Sequence, residues 1–420
     1  MTRHEQMNAA SAAPLSTPTP KRLMSLDVFR GATIAAMVLV NNPGNWDAIY
    51  KPLDHAEWHG WTFTDLIFPF FLWIVGVAIP LSTARRLEQG QGRRELLLHA
   101  LRRAVIIFAL GFFLNSFSYL VDGSLFRDGL GAWFRNYATS VRIPGVLQRI
   151  AICYFLTMVI FLDFGVRGQL NWIAGLLAGY WLLMIAGPMF GWGTGGLEPQ
   201  GNFCQYLDNL VFNGRVIGTH VWRGGKTWDP EGLFSTVPAV ATCLFGVMTG
   251  HLLRSKLSPE RRTAWLCVGG NLLLVAGVVM DIWLPINKKL WTSSYAVFMA
   301  GMAMNCFAVC YWLVDVQGWR KWAKPFAIYG MNAIAVFMMA GLLGRILPAI
   351  KLTDSAGKRV GLQSYLYTHL CVPFASPETA PVLGFLASPR NASLMWALLY
   401  VAVLFLAAYV MYRRKWFLKF

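Results

Sequence analysis

Apolar residues along this chain come in blocks of roughly 20, each closed by charges, Gly or Pro, and a bilayer core takes about 20 helical residues to cross. The blocks do not alternate with period two, which argues against a barrel. Only helices and closed barrels satisfy every backbone group in lipid. The pattern therefore predicts an all-α integral membrane protein, a polytopic bundle of about 10 (10–11) transmembrane helices with long outward-facing loops. The spans fall near 24–42, 62–83, 102–121, 145–163, 170–190, 233–253, 263–284, 291–314, 324–348 and 393–413. The first opens with Asp27 and Arg30. The ninth is long and interrupted by Gly330, Gly341 and Gly344, so a break there would supply an eleventh element.

Composition changes the picture little and charge sharpens it. Of 420 residues, 56% are hydrophobic and only 14% charged, where a soluble domain carries about a quarter. A net charge of +17 on a soluble protein would suggest nucleic acid. Here the positive-inside rule accounts for it, and no nucleic-acid partner is expected. With a cytoplasmic N-terminus, the basic segments at 84–103, 254–262, 318–324 and 413–420 all face the cytoplasm. Ten spans return the C-terminus to the same side. The longer, less basic loops near 43–61, 191–232 and 349–392 then face outward and are expected to build a cap over the bundle. The division is a disordered cytoplasmic tail at 1–23, one transmembrane domain at 24–413 and a basic cytoplasmic tail at 414–420.

Seven cysteines are present, five of them inside spans, where a free thiol behaves as a small apolar group. Cys204 and Cys371 fall in the two largest outward loops, and a disulfide between them is one possibility in an oxidising compartment. No CxxC or zinc-like spacing occurs, and no metal is expected.

Candidate chemistry gathers at the mouth of the second span, in YKPLDHAEWHGWTFTDLIFPFF at 50–71. Histidine titrates near neutrality and serves as general base or nucleophile. An asparagine amide can hold a developing oxyanion, and a carboxylate can orient an imidazole. Asn41, His55 and Asp65 supply all three types on adjacent segments facing one compartment. The plain alternatives stay open: a helix C-cap for Asn41, a loop histidine for His55, a first-turn acid for Asp65. Arg149, about two turns into the fourth span, is either snorkelling, paired with a carboxylate such as Asp281, or a clamp on an anionic group. Arg142, Asn287 and Lys288 are further polar groups at the outer ends of apolar spans.

Five segments carry a resemblance. SLDVFRGATIAAMVLVNNPG, HAEWHGWTFTDLIFPFFLWIVG, VRIPGVLQRIAICYF, WDPEGLFSTVPAV and PINKKLWTSSYAVF occur in this order over about 25–300. Together they resemble the heparan-α-glucosaminide N-acetyltransferase family and its bacterial relatives. The resemblance implies a membrane acyltransferase that takes acetyl from cytosolic acetyl-CoA and delivers it to the amine of a glucosamine-type sugar or glycan on the opposite side. It implies His55, not His59, as the catalytic histidine, with Asn41 and Asp65 beside it. It places Asp229 and Glu231 of the DPEG motif, with Asn287 and Trp291 of the NKKLW motif, at the acceptor. Arg30, Arg142, Arg149 and Lys288 are the expected contacts of the donor's anionic groups. The family further implies a homodimer in the lipid bilayer, here the bacterial inner membrane, with His55 on the periplasmic side. Compared with lysosomal members, the chain is expected to do without their extra N-terminal lumenal domain and leading span. That difference leaves the acceptor open, and the chain also spaces Asn41 and His55 a few residues further apart. The alternative function is an amino-sugar-related transporter, for which no internal repeat is visible.

Overall fold

A computed structural model describes residues 23–214, 218–222, 227–354, 357–375 and 387–418. Fifteen α-helices follow in order. They are α1 Met24–Asn41, α2 Phe63–Glu88, α3 Arg93–Val121, α4 Ser124–Asp128, α5 Leu130–Ser140, α6 Val146–Asp163, α7 Val166–Ala186 and α8 Phe203–Phe212. Then come α9 Thr236–Arg254, α10 Pro259–Asp281, α11 Ser293–Tyr311, α12 Lys324–Met331, α13 Ala333–Ala349, α14 Leu362–Leu370 and α15 Pro389–Arg413. Nine of the described helical stretches are long and apolar enough to cross a membrane, and α12 with α13 makes a tenth that is bent by 80°. The predicted spans are borne out, most of them within a few residues; α3 begins nine residues before the predicted start at 102. Most of the expected N-terminal tail, 1–22, lies outside the described residues.

The break in the ninth span sits at Asn332, beside Gly330 and not at Gly341 or Gly344. The reason is packing. α12 lies tightly against α1, where a Cβ on Gly31 or Gly330 would collide with the partner's backbone. That contact holds α12 at its own angle while α13 turns back into the bundle. The buried Asn332 amide closes the break by bonding the C-terminal tail instead. Its Nδ2 donates to the Trp416 carbonyl (3.0 Å) and its Oδ1 accepts the Leu418 N–H (3.1 Å). Gly76 and Gly246 do for α2 and α9 what Gly31 and Gly330 do for α1 and α12.

Alternating direction puts every long connection at the end where α1 finishes and α2 starts. These connections carry their own structure: α4 and α5, α8 with a two-stranded β1–β2 ribbon (Asn213–Gly214 and Gly218–Thr219), and β3–β4 (Lys351–Thr353 and Arg359–Gly361) leading into α14. A small apolar core of Tyr180, Phe203, Cys204, Phe234, Leu284 and Leu290 ties several of them together, with Trp58 and Leu197 packed against it. Cys371 belongs to a different cluster, beside Val40, Trp396 and Tyr400. Both thiols are free and buried in separate apolar surroundings, so the disulfide considered from sequence is not formed. The opposite end has short connections and holds the ion pairs Arg93–Asp163 (2.6 Å) and Arg254–Glu88 (3.4 Å).

Candidate functional site

Asp65 is the hub. Thr62 precedes the first turn of α2, and Asp65 stands three residues later, so its carboxylate reaches back to the helix start as in a capping box. Oδ2 accepts the Thr62 N–H (3.0 Å), the Thr62 hydroxyl (3.1 Å) and the Ala56 N–H (3.0 Å). Oδ1 takes His55 Nδ1 (2.7 Å) and Lys288 Nζ (3.2 Å). The side chain is 1% exposed, whereas that of His55 is 41% exposed. The plain reading and the chemical reading therefore hold together: one carboxylate caps the helix and orients the imidazole. An ionised carboxylate only accepts, so Nδ1 carries a hydrogen and Nε2 is the nitrogen left to face the cavity chemistry.

The turn Leu284–Thr292 delivers Lys288. Gly60 donates its N–H to the Ile286 carbonyl (2.7 Å), joining this turn to the His55 loop. The buried Asn287 accepts the Leu290 N–H through Oδ1 (2.9 Å), which closes the turn. Trp291 follows at φ +52°, a left-handed conformation that costs a residue with a Cβ about 1–2 kcal/mol. The surroundings hold it there: its ring is fully buried against Phe68 and Tyr295, and Nε1 donates to the Thr242 hydroxyl (3.1 Å). Burial pushes the Lys288 ammonium below its ordinary value, with Asp65 and Glu231 pulling the other way.

A second network adjoins the first. Arg142 makes a bidentate pair with Asp229 (2.8 and 2.6 Å) and also reaches Glu231. Asp229 further accepts the N–H groups of Trp222 (2.7 Å) and Glu231 (2.9 Å). Asp208 on α8 accepts the N–H groups of Asp229 (3.0 Å) and Leu233 (2.9 Å), and burial pushes its carboxyl up to about 7. Arg149 is 1% exposed and makes no pair with Asp281, whose carboxylate accepts the Ile286 N–H (2.5 Å). Arg149 Nη2 instead donates to the Gly232 carbonyl (3.1 Å) and the Ser235 hydroxyl, and its guanidinium lies over Trp291, 5.1 Å from the ring centroid. A stacked aromatic face partly offsets the charge of such a cation.

Both networks border a cavity of about 1100 Å³. Its wall includes Asn41, His55, Arg142, Glu231, Lys288 and Arg345 at one end, and Arg30, Arg86, His99 and Arg103 at the other. Ile34, Met37, Phe71, Ile74 and Phe337 line it between them. Thr64 and Arg86, both in the wall, are roughly 33 Å apart along α2 at 1.5 Å per residue, about the thickness of a bilayer core. Among the described residues the only carboxylate in this wall is Glu231. Leu418 of the tail closes in on the cavity near Gly330 and Met331.

Six of the residues singled out from sequence thus meet on one cavity wall: Arg30, Asn41, His55, Arg142, Glu231 and Lys288. Asp65 stands directly behind His55. Arg149, Asp229, Asn287 and Trp291 are buried behind the wall as framework and do not reach the cavity. Arg86, His99, Arg103 and Arg345 were missed. The first three were visible only as part of a basic loop, where topology alone already explained them.

A sequence profile described as "Domain of unknown function (DUF5009)" matches residues 22–125, the stretch that holds Arg30, Asn41, His55, Asp65 and Arg103. The protein named heparan-alpha-glucosaminide N-acetyltransferase in Homo sapiens is 31% identical over 365 residues, 76% of this chain and 52% of the human protein. The protein of the same name in Mus musculus is 29% identical over 402 residues, 84% of this chain and 59% of its own. The chain is a relative of heparan-alpha-glucosaminide N-acetyltransferase. It spans a little over half the length of these curated relatives. The family resemblance carried by the five motifs is borne out, since identity extends over most of the chain.

Proposed function

We propose that the chain is a transmembrane acetyltransferase that passes acetyl from acetyl-CoA to the amine of a glucosamine-type sugar. The observation that carries this reading is the cavity. It joins a cation-lined mouth, through an apolar stretch, to a histidine set against a buried carboxylate. Arg30, Arg86 and Arg103 suit the phosphates of the donor, because guanidinium groups bind phosphate bidentately, and His99 adds a ring N–H beside them. The apolar middle suits a long thin arm. The thioester would then lie near His55 and Asn41.

In the reaction, the sugar amine attacks the thioester carbonyl and gives its proton to His55 Nε2. Asp65 holds Nδ1–H and stabilises the imidazolium that forms. The Asn41 amide donates to the oxyanion, the carbon–sulfur bond breaks, and the proton returns to the departing thiolate. The alternative order, acetyl first on His55 Nε2 and then on the amine, uses the same groups. Labelled acetyl retained on denatured wild type, and lost in His55→Ala, would select that order. This reading puts the donor at the end where Leu23 and Leu418 lie, the cytoplasmic side by the charge rule, and the acceptor at the His55 end, the periplasmic side of a bacterial inner membrane.

Purified wild type and His55→Ala are compared for acetyl-CoA-dependent acetylation of glucosamine and of chitosan-type oligosaccharides. Activity in wild type, absent from a folded His55→Ala variant, supports the enzyme and its key residue together. The bent α12–α13 pair favours a second reading, an amino-sugar transporter, because transporters use broken helices at their substrate sites. No transfer by wild type, and no shift of its melting temperature by acetyl-CoA, would select it.

A further inference from the structure

Lys288 makes a contact that phosphate binding does not explain. Its ammonium lies 3.0 Å from His55 Nδ1 and 3.5 Å from Nε2. An in-plane group that near to both ring nitrogens would overlap a ring carbon, so the ammonium sits over the face of the imidazole. The in-plane direction at Nδ1 is already taken by Asp65 Oδ1 at 2.7 Å. Lys288 therefore donates to Asp65 (3.2 Å) while its charge rests above the ring. Its side chain is only 19% exposed, which limits screening by water.

We infer that Lys288 is a positioning residue for His55: it shares Asp65 with the imidazole and holds the ring in its free-base form by standing over it. This inference rests on the reading of His55 as the base. Asp65 alone would orient the ring but would also attract a second proton to it. A fixed like charge on the face opposes that proton. Asp54, Glu57 and Lys289 carry further charges on the two loops that meet here. Asp54 accepts the His55 backbone N–H (2.7 Å), and Lys289 donates to the Glu57 carbonyl (2.5 Å). Arg142 satisfies Glu231. Burial of Lys288 agrees with a charge held for a purpose, since its own ammonium is disfavoured there and kept by Asp65 and Glu231.

The test reads the ring without turnover. Diethylpyrocarbonate modifies an imidazole only in its free-base form. The rate of His55 carbethoxylation, followed by peptide mass spectrometry, is measured against pH in wild type, Lys288→Met, Lys288→Gln and Lys288→Arg, with His59 as internal control. The half-maximal pH for His55 should rise by about one unit in Lys288→Met and Lys288→Gln, a tenfold loss of free base on the acid side. Arg should restore most of it, and His59 should not move. Coincident His55 profiles in wild type and folded Lys288→Met or Lys288→Gln, or a fall in half-maximal pH, would overturn the inference. A wild type that transfers no acetyl would sink the acetyltransferase reading by itself, while the carbethoxylation profile still decides the role of Lys288.

Discussion

The two ends of the cavity carry positive side chains in opposite states. At the His55 end most charges have a counterpart close by: Arg142 holds Asp229 and Glu231, and Lys288 and His55 share Asp65, while Arg345 bonds the Ser118 hydroxyl and the Gly341 carbonyl. At the far end Arg30, Arg86 and Arg103 share the wall with His99, and among the described residues no carboxylate lines that end. Arg30 does approach Asp27 behind the wall (3.4 Å), and Arg103 lies over the Tyr154 ring at 5.1 Å. A neutralised network fixes geometry and needs no ligand to be stable. Arginines gathered on one wall with a single carboxylate behind them repel one another, and an anion relieves that repulsion. The first arrangement suits chemistry and the second suits recognition, and each should respond to substitution in its own way.

The largest effect is expected at the hub. Asp65→Asn removes the acceptor that fixes the Nδ1–H tautomer, and turnover should fall by roughly 10²–10⁴ with donor affinity little changed. Comparable turnover in a folded Asp65→Asn variant would mean that the carboxylate is only a helix cap. Next comes Arg142→Met, which leaves Asp229 and Glu231 without their cation. Breaking such a buried pair costs about 3–5 kcal/mol, so thermal unfolding in detergent should begin far below wild type. An unchanged melting curve would show that this end is not held by its charge network.

At the far end substitution should touch binding and spare both turnover and folding. Arg86→Gln and Arg103→Gln should each raise the KM for acetyl-CoA about tenfold, as expected for loss of a charge-assisted bond, and should flatten its dependence on salt. A fall in turnover at constant KM would reverse the assignment of the two ends. The smallest effect is a pH dependence of stability. The Asp208 carboxyl, raised by burial to about 7, keeps a proton in the folded protein that the unfolded chain releases near 4. The folded state then binds more protons between about 4 and 7, so stability should fall as pH rises through that window and level off above it. Asp208→Asn should flatten the slope, and a stability that rises over the same range would contradict this role.

Much of this was legible before any coordinates. The ten spans follow from block length, because the lipid thickness imposes it on any helical chain. The grouping of Asn41, His55 and Asp65 followed from their closeness in sequence across one short loop. The residues misplaced by sequence are those whose role depends on partners far along the chain. Arg149 read as a snorkelling, paired or anion-clamping cation and Trp291 as an acceptor contact, yet Gly232, Ser235 and Thr242 hold both as buried framework. Arg86 and Arg103 read as topology signals, and nothing local tells a basic residue at a membrane edge from one that turns into a cavity.

The sequence by itself determined the helical membrane architecture and the cluster at the mouth of the second span. Both rest on local physics: apolar length against bilayer thickness, and polar types within reach of one loop. Only the tertiary structure decided that the far cationic end belongs to the same cavity as His55. It alone brought Lys288, 233 positions away, onto the imidazole face, and set the break of the ninth span at Asn332. Those outcomes depend on helix packing at Gly31 and Gly330 and on side chains meeting across the bundle, which no local pattern encodes.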